Sequence, residues 1–238
     1  TASILGVMLD AERIEIYTDV DGVMTADPRI VKSASVIDII SYDEVFQLAD
    51  QGSKVIHPRA VEYAREGNIP IMIKNTLNDT IGTLINSVGD RKRRRLITSI
   101  TNHDDRIQVT INLDDNKGND RYNDVLEILA ANKISLDLIN IFPRQQVFTI
   151  SKAAKDIVKD IFGKLDLKYT LIDNCSTIAL VGAGMKGIPG VMAKIYKTLS
   201  ESNIEVLQTA DSHMTIWCLI HTENLEKAIN ALHKAFKL

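Results

Sequence analysis

Residues 18–29 read TDVDGVMTADPR and gather hydroxyl, carboxylate and guanidinium groups into one short stretch. Thr18, Asp19, Asp21, Asp27 and Arg29 supply the polar groups, Gly22 lets the chain turn, and Met24 adds an apolar neighbour. A loop of this kind at a strand end also offers backbone N–H groups. Phosphoryl transfer asks mainly for positioning and charge neutralisation, so such a loop beside a nucleotide is chemically sensible. A polar turn with solvated aspartates has the same composition, and composition alone leaves both readings open. A second candidate is GAGMKG at 182–187, which satisfies G-x-G-x-x-G between a strand and a helix. A dinucleotide site is excluded there, because roughly 50 residues follow and a dinucleotide fold needs further parallel strands.

These loops need elements to hold them. Ala2, Leu5, Met8 and Leu9 repeat at helical spacing, and Ile14, Ile16 and Thr18 alternate as a strand that runs into the first loop. Ser41 to Glu44 forms a capping box ahead of a helix over 45–50, with Gly52 as its stop. Pro58 opens another helix and Gly67 closes it. Residues 69–74 and 83–85 read as short strands. Strand, helix and strand alternate, so residues 1–86 form a piece of an α/β domain.

The composition breaks at 87–95, where 91–95 are all basic. No aromatic residue is interleaved and no nucleic-acid fold follows, so this is a solvated linker rather than a nucleic-acid contact. An approximate repeat then begins. The first unit takes strands at 106–113, 135–142, 146–150 and 168–173, with helices at 122–132 and 152–165. That is the βαββαβ order of a ferredoxin-like module. The second unit runs strand 177–182, helix 191–203, strands 205–210 and 214–221, and helix 224–236. It ends one strand short, while a surplus strand at 96–101 precedes the first unit. The simplest account has 96–101 closing the second sheet, so that a module over 106–174 is inserted in one made of 96–102 and 175–238.

The 238 residues suit two or three domains, and 45% of them are hydrophobic. A net charge of -3 predicts no strong pull toward nucleic acid or anionic membrane. No stretch approaches the ~20 apolar residues of a membrane span, and no signal peptide is expected. Cys175 and Cys218 lie far apart, which fits two buried thiols in a reducing cytoplasm. The chain opens at Thr1 inside a helical pattern and without Met, as a fragment would.

Several of these stretches together resemble the aspartate kinase family. Residues 18–29 are similar to its T-D-V-[DP]-G-[VI]-[YM]-T-x-D-P-R. SYDE at 41–44 and GSKVIHPRA at 52–60 resemble S-Y-x-E and G-[AS]-K-V-[LI]-H-P-R. IMIKNT at 71–76 and GTLI at 82–85 resemble I-x-[IV]-[KR]-N-T and G-T-x-I. The repeat resembles a tandem of ACT modules, with 182–190 similar to the ACT loop V-G-x-G-M-x-x-x-P-G, where a small amino acid or a partner module docks. The resemblance runs in order along essentially the whole chain. It implies an α/β and α+β architecture: the C-terminal part of an amino-acid-kinase domain, then two interleaved ferredoxin-like ACT modules.

By this resemblance, Thr18 and Asp19 lie beside the adenosine of Mg-ATP, Met24 packs near the nucleotide, Arg29 and Lys54 meet the phosphates, and Val55 lines the pocket. An ammonium on phosphate is sound chemistry for Lys54. His57 takes a structural role, because a carboxylate acceptor needs no general base. The resemblance further implies the first step of the lysine, threonine and methionine (diaminopimelate) pathway, ATP-dependent conversion of aspartate to 4-phospho-aspartate, under feedback by lysine, threonine or diaminopimelate. The matching loop of the first module, with Gly118, Asn119 and Asp120, and SLDLI at 135–139, similar to S-V-D-[LM]-I, give an effector set that includes Ser135, Leu136 and Asp137. Asp137 would receive an ammonium group; a strand-end aspartate in solvent is the other reading. Residues 210–217 resemble diaminopimelate-responsive Gram-positive enzymes. A homodimer or larger assembly through the ACT modules is implied.

The family's K-F-G-G-[TS] and R-G-G-S-D segments are absent from the chain, which contains no Gly-Gly pair. The fragment is therefore expected to hold half of the ATP site, no catalytic residue and no metal ligand, and not to turn over alone. The competing readings are a regulatory subunit without catalysis, in which residues 1–86 would be needless, and another amino-acid kinase such as a glutamate 5-kinase, against which the ACT tandem argues.

Overall fold

The computed structural model describes residues 1–53, 55–90, 95–112, 120–165, 167–185 and 187–238, with backbone only at 120–124. The N-terminal part contains helix α1 (Ala2–Met8), strand β1 (Ile14–Thr18), strand β2 (Ile39–Ser41), helices α2 (Tyr42–Asp50) and α3 (Pro58–Glu66), and strands β3 (Ile71–Asn75) and β4 (Thr83–Asn86). They build a four-stranded sheet in the order β1-β3-β4-β2. β1 runs parallel to β3, so Thr18 lies opposite Asn75 where both strands end. Local chemistry explains the helix starts. The Ser41 hydroxyl accepts from Glu44 N–H while the Glu44 carboxylate takes Ser41 N–H, and α3 opens on Pro58 with His57 as N-cap. Ile40, Val45, Leu48, Val61, Ile71, Ile73 and Ile85 fill the core between sheet and helices. β2, too short to show a period, had no sequence signal.

The remaining chain forms one six-stranded sheet, β6-β7-β5-β8-β10-β9. Its strands are β5 (Ser99–Asn112), β6 (Asp137–Phe142), β7 (Gln145–Ser151), β8 (Lys168–Val181), β9 (Gln208–Asp211) and β10 (Thr215–His221). Helices α4 (Asp120–Ala131) and α5 (Lys155–Lys164) belong to the first repeat, α6 (Val191–Glu201) and α7 (Leu225–Phe236) to the second. Two separate cores result. One gathers Ile107, Val109, Val125, Leu129, Phe148 and Phe162. The other gathers Ile100, Ile178, Leu180, Ile195, Cys218 and Leu232.

The structure departs from the sequence reading at the junction. Where two strands were expected on each side, β5 and β8 are single strands of 14 residues each. Residues 106–112 of β5 pair with 168–175 of β8, and residues 99–103 pair with 177–181. Asp and Asn near the break look like turn formers, but here Asp105 (φ 58°) and Asn174 (φ 54°) absorb an irregularity while the strand continues. The surplus segment enters the sheet at Ser99, with Leu96, Ile97 and Thr98 outside it.

The G-x-G motif also receives a physical explanation. A Cβ at Gly182 would stand 2.3 Å from the Leu96 carbonyl oxygen, and one at Gly184 2.4 Å from that of Arg95. These glycines let the chain's own incoming segment cross the loop.

Candidate functional site

The carboxyl ends of the parallel strands β1 and β3 are where an open α/β sheet offers a crevice. Two loops meet there. Thr76 donates to the Thr18 carbonyl from its N–H (2.8 Å) and from its hydroxyl (3.0 Å). Asp21 accepts from Asn75 Nδ2 at 2.7 Å and from Asn78 Nδ2 at 2.8 Å. The Asn78 and Asn75 amides hold the Asp21 carboxyl below its ordinary range. Thr83, fully buried at the start of β4, accepts from Val23 N–H at 2.8 Å. The loop is thus anchored at Thr18, Asp21 and Val23, and its amides and carboxylates are fixed rather than solvated at random. Asp19 accepts from the Thr18 hydroxyl at 3.0 Å. On the strands behind, Glu15 takes the Tyr17 hydroxyl at 2.8 Å and the Lys74 ammonium at 3.3 Å. The Tyr17 hydrogen bond leads in holding Glu15 below its ordinary range.

The backbone of the second half of the 18–29 motif also meets the second module. The Met24 carbonyl accepts from Ser99 Oγ at 2.8 Å and the Thr25 carbonyl from Ile100 N–H at 2.9 Å. Ala26 and Val31 are buried in the core of the second repeat. Arg29 is exposed, and its guanidinium forks onto Asp27 with a shortest contact of 2.6 Å. That pairing raises Arg29 above and lowers Asp27 below their ordinary values. That one short loop meets the ends of β1 and β3 on one side and the second module's core on the other was not legible in the sequence.

Val55 is half-buried against the N-terminal core, and His57 Nδ1 accepts from Arg59 N–H at 3.2 Å. Lys54 lies outside the described residues, as do Gly118 and Asn119; the side chain of Asp120 does too. Ser135 is exposed and Leu136 packs on the first repeat's core. Asp137 meets Arg106 Nη1 at 2.9 Å, so its carboxylate has a cationic partner within the chain. In the second repeat an open cleft of 690 Å³ runs along the glycine loop, bordered by Met185, Ile188, Met192, Thr209, Asp211 and Ile216.

Sequence reasoning also missed Asn75, Asn78 and Thr83 as anchors of the loop; Asn75 and Thr83 had a signal only in their place in the I-x-[IV]-[KR]-N-T and G-T-x-I stretches, and Asn78 had none. It missed His233 as well. This buried histidine on α7 has Nε2 at 2.9 Å from Thr25 Oγ1. The same hydroxyl oxygen also accepts from Ser35 N–H at 3.0 Å. Burial, then the Arg95 charge, hold His233 below its ordinary value of 6.5. The folded state therefore binds fewer protons than the unfolded one as pH falls below about 6.5, and stability drops until the lowered folded value is passed. Urea midpoints compared between pH 8 and pH 5 are expected to fall further in the parent than in His233→Gln. Equal falls would remove His233 from the acid sensitivity.

Residues 1–75 match the model of the amino acid kinase family, and residues 170–234 that of the ACT domain. The chain is 40% identical over 243 residues to Aspartokinase 1 of Bacillus subtilis, an alignment covering 100% of this chain and 60% of that protein. It superposes on Clostridium acetobutylicum aspartate kinase with a TM-score of 0.89 at 27% identity, covering 99% of this chain and 57% of the other. E. coli aspartokinase III in complex with aspartate and ADP (R-state) matches with a TM-score of 0.83 at 26% identity, covering 100% and 55%. The same enzyme in complex with lysine and aspartate (T-state) matches at 0.80 and 25%, covering 99% and 54%.

Proposed function

We propose that this chain, which belongs to the aspartate kinase family and spans about 60% of the length of the curated relatives it matches, is the nucleotide-binding edge and regulatory part of an enzyme that phosphorylates L-aspartate from Mg-ATP. The observation that carries the reading is the first part of the 18–29 loop, residues 18–23, pinned at the carboxyl ends of β1 and β3 by Asn75, Asn78, Thr76 and Thr83. A loop so fixed presents its groups without reorganisation, which is what phosphoryl transfer requires. Thr18, Asp19 and Met24 would face the nucleoside, and Arg29, Lys54 and Val55 the phosphates and pocket wall. Magnesium would travel with the nucleotide. Residues 1–86 would be the kinase part, 87–95 the linker, 106–174 the first ACT module, and 96–102 with 175–238 the second.

The K-F-G-G-[TS] and R-G-G-S-D segments are not in this sequence, so the chain should bind MgADP without turning over. Calorimetry with MgADP and a coupled ADP-release assay with aspartate test this. Turnover by the chain as it stands would overturn the assignment of the missing segments, and failure to bind MgADP would overturn the nucleotide role of the 18–29 loop.

The regulatory half would bind an amino-acid effector in the cytoplasm; E. coli aspartokinase III, which the chain resembles, has lysine in one of its structures. The first module's set, Ser135, Leu136 and Asp137 beside the 118–120 loop, is the leading docking place. The cleft bordered by Asp211 favours the second module as the other. Titration with lysine, threonine and diaminopimelate separates them. Asp137→Ala should weaken the effector about tenfold or more, on the scale of ~1.4 kcal/mol per decade, and Asp211→Ala should not. The reverse result moves the site to the cleft. Edge strand β6 exposes Ile139, Ile141 and Phe142, which supports pairing with a second copy. Sedimentation as a monomer at all concentrations would sink that assembly.

A further inference from the structure

Helix α2 has two faces of different character. Val45 and Leu48 enter the N-terminal core. Glu44, Gln47 and Gln51 are spaced i, i+3, i+7 and therefore share one side of the helix. All three reach the second module. Glu44, buried, uses one carboxylate oxygen to cap its own helix, taking Ser41 N–H at 3.2 Å and the Ser41 hydroxyl at 2.7 Å. Its other oxygen accepts from the Thr98 hydroxyl at 2.6 Å and from Ala183 N–H, in the glycine loop, at 3.1 Å. Gln47 Oε1 accepts from the Thr215 hydroxyl at 3.2 Å. Gln51 Oε1 accepts from Trp217 Nε1–H at 2.8 Å, and the Gln51 carbonyl from the Thr101 hydroxyl at 3.3 Å.

The contact stays tight just past the helix. Gly52 has φ +107°, and a Cβ there would stand 2.6 Å from the Asn102 carbonyl oxygen in β5. The end of α2 is thus pressed onto the regulatory sheet, and the chain then enters Val55, Ile56 and the His57 cap of α3. An apolar face would have packed in many nearby arrangements. A row of acceptors, each met by its own donors, is satisfied in one arrangement, so it transmits a displacement instead of absorbing it.

We propose that Glu44, Gln47 and Gln51 are positioning residues that tie residues 55–59 to the second module, so that the state of that module sets how well the chain holds a nucleotide. The nucleotide half of this statement rests on the function proposed above; the mechanical half does not.

Three variants test it in the full 238-residue chain. Gln51→Ala removes the Trp217 partner. Gln51→Glu keeps an acceptor oxygen there and serves as the rescue. Glu44→Gln leaves too few acceptor sites for Ser41, Thr98 and Ala183 together. Amide hydrogen exchange and MgADP calorimetry are the readouts. Gln51→Ala and Glu44→Gln should speed exchange at 55–59 while strand β3 keeps its protection, and should weaken MgADP by about fivefold or more. Gln51→Glu should restore both. Unchanged exchange at 55–59 in both Gln51→Ala and Glu44→Gln would overturn the proposal, whatever nucleotide does. Should the parent chain fail to bind MgADP, the functional reading falls, and the exchange measurement still decides the mechanical one.

Discussion

Phe162→Ala is expected to destabilise the chain by about 3–5 kcal/mol. Phe162 is fully buried in the first module's core and meets the Tyr169 ring edge-on at a centroid distance of 5.0 Å. The fate of the second module is the informative part. β5 and β8 run through both modules without a break, so loss of the first core leaves half of each strand unpaired on its way into the second. The single tryptophan, Trp217, sits in β10 of the second module and reports its unfolding. Urea transitions followed by far-UV circular dichroism and by Trp217 fluorescence should therefore shift together. A fluorescence transition that stays at the parent midpoint would mean that the modules unfold separately.

The second large effect is expected at the 18–29 loop. Gly22 has φ +148°, and a Cβ there would lie 2.4 Å from Thr83 Oγ1 and 3.0 Å from Val36 Cγ1. Alanine at this position combines backbone strain with displacement of the buried acceptor that holds Val23 N–H. Together these should cost about 2–4 kcal/mol and take MgADP binding with them. Gly163→Ala is the matched contrast. Gly163 lies within α5, and a Cβ there meets nothing within 4 Å, so alanine should stabilise by about 0.5–1 kcal/mol. Thermal melts and calorimetry on the two variants check both signs. An unchanged Gly22→Ala midpoint would mean that the loop has room the geometry denies.

Much of the fold was legible because it rests on local rules. The capping box at Ser41 and Glu44, the Pro58 start of α3 and the period-two run of β1 depend on neighbours a few residues away. The site was legible only in part. Thr18 and Asp19 end a strand as read, yet Asp21's partners Asn75 and Asn78 lie 54 and 57 residues along the chain. Asn78 carries no pattern that marks it as a partner rather than a turn residue.

By itself the sequence determined most helix starts, the tandem of similar modules, and the run of motifs that resembles the aspartate kinase family. These follow from hydrogen bonds and burial periods that short segments specify. Only the tertiary structure decided that β5 and β8 continue through both modules, that the far end of the 18–29 motif joins the second module's core, and that α2 turns a row of acceptors toward Thr98, Ala183, Thr215 and Trp217. A burial pattern states that a side chain is covered, and a polar side chain states that it needs a partner. Neither states which distant segment supplies the cover or the partner, because that depends on how complete elements pack.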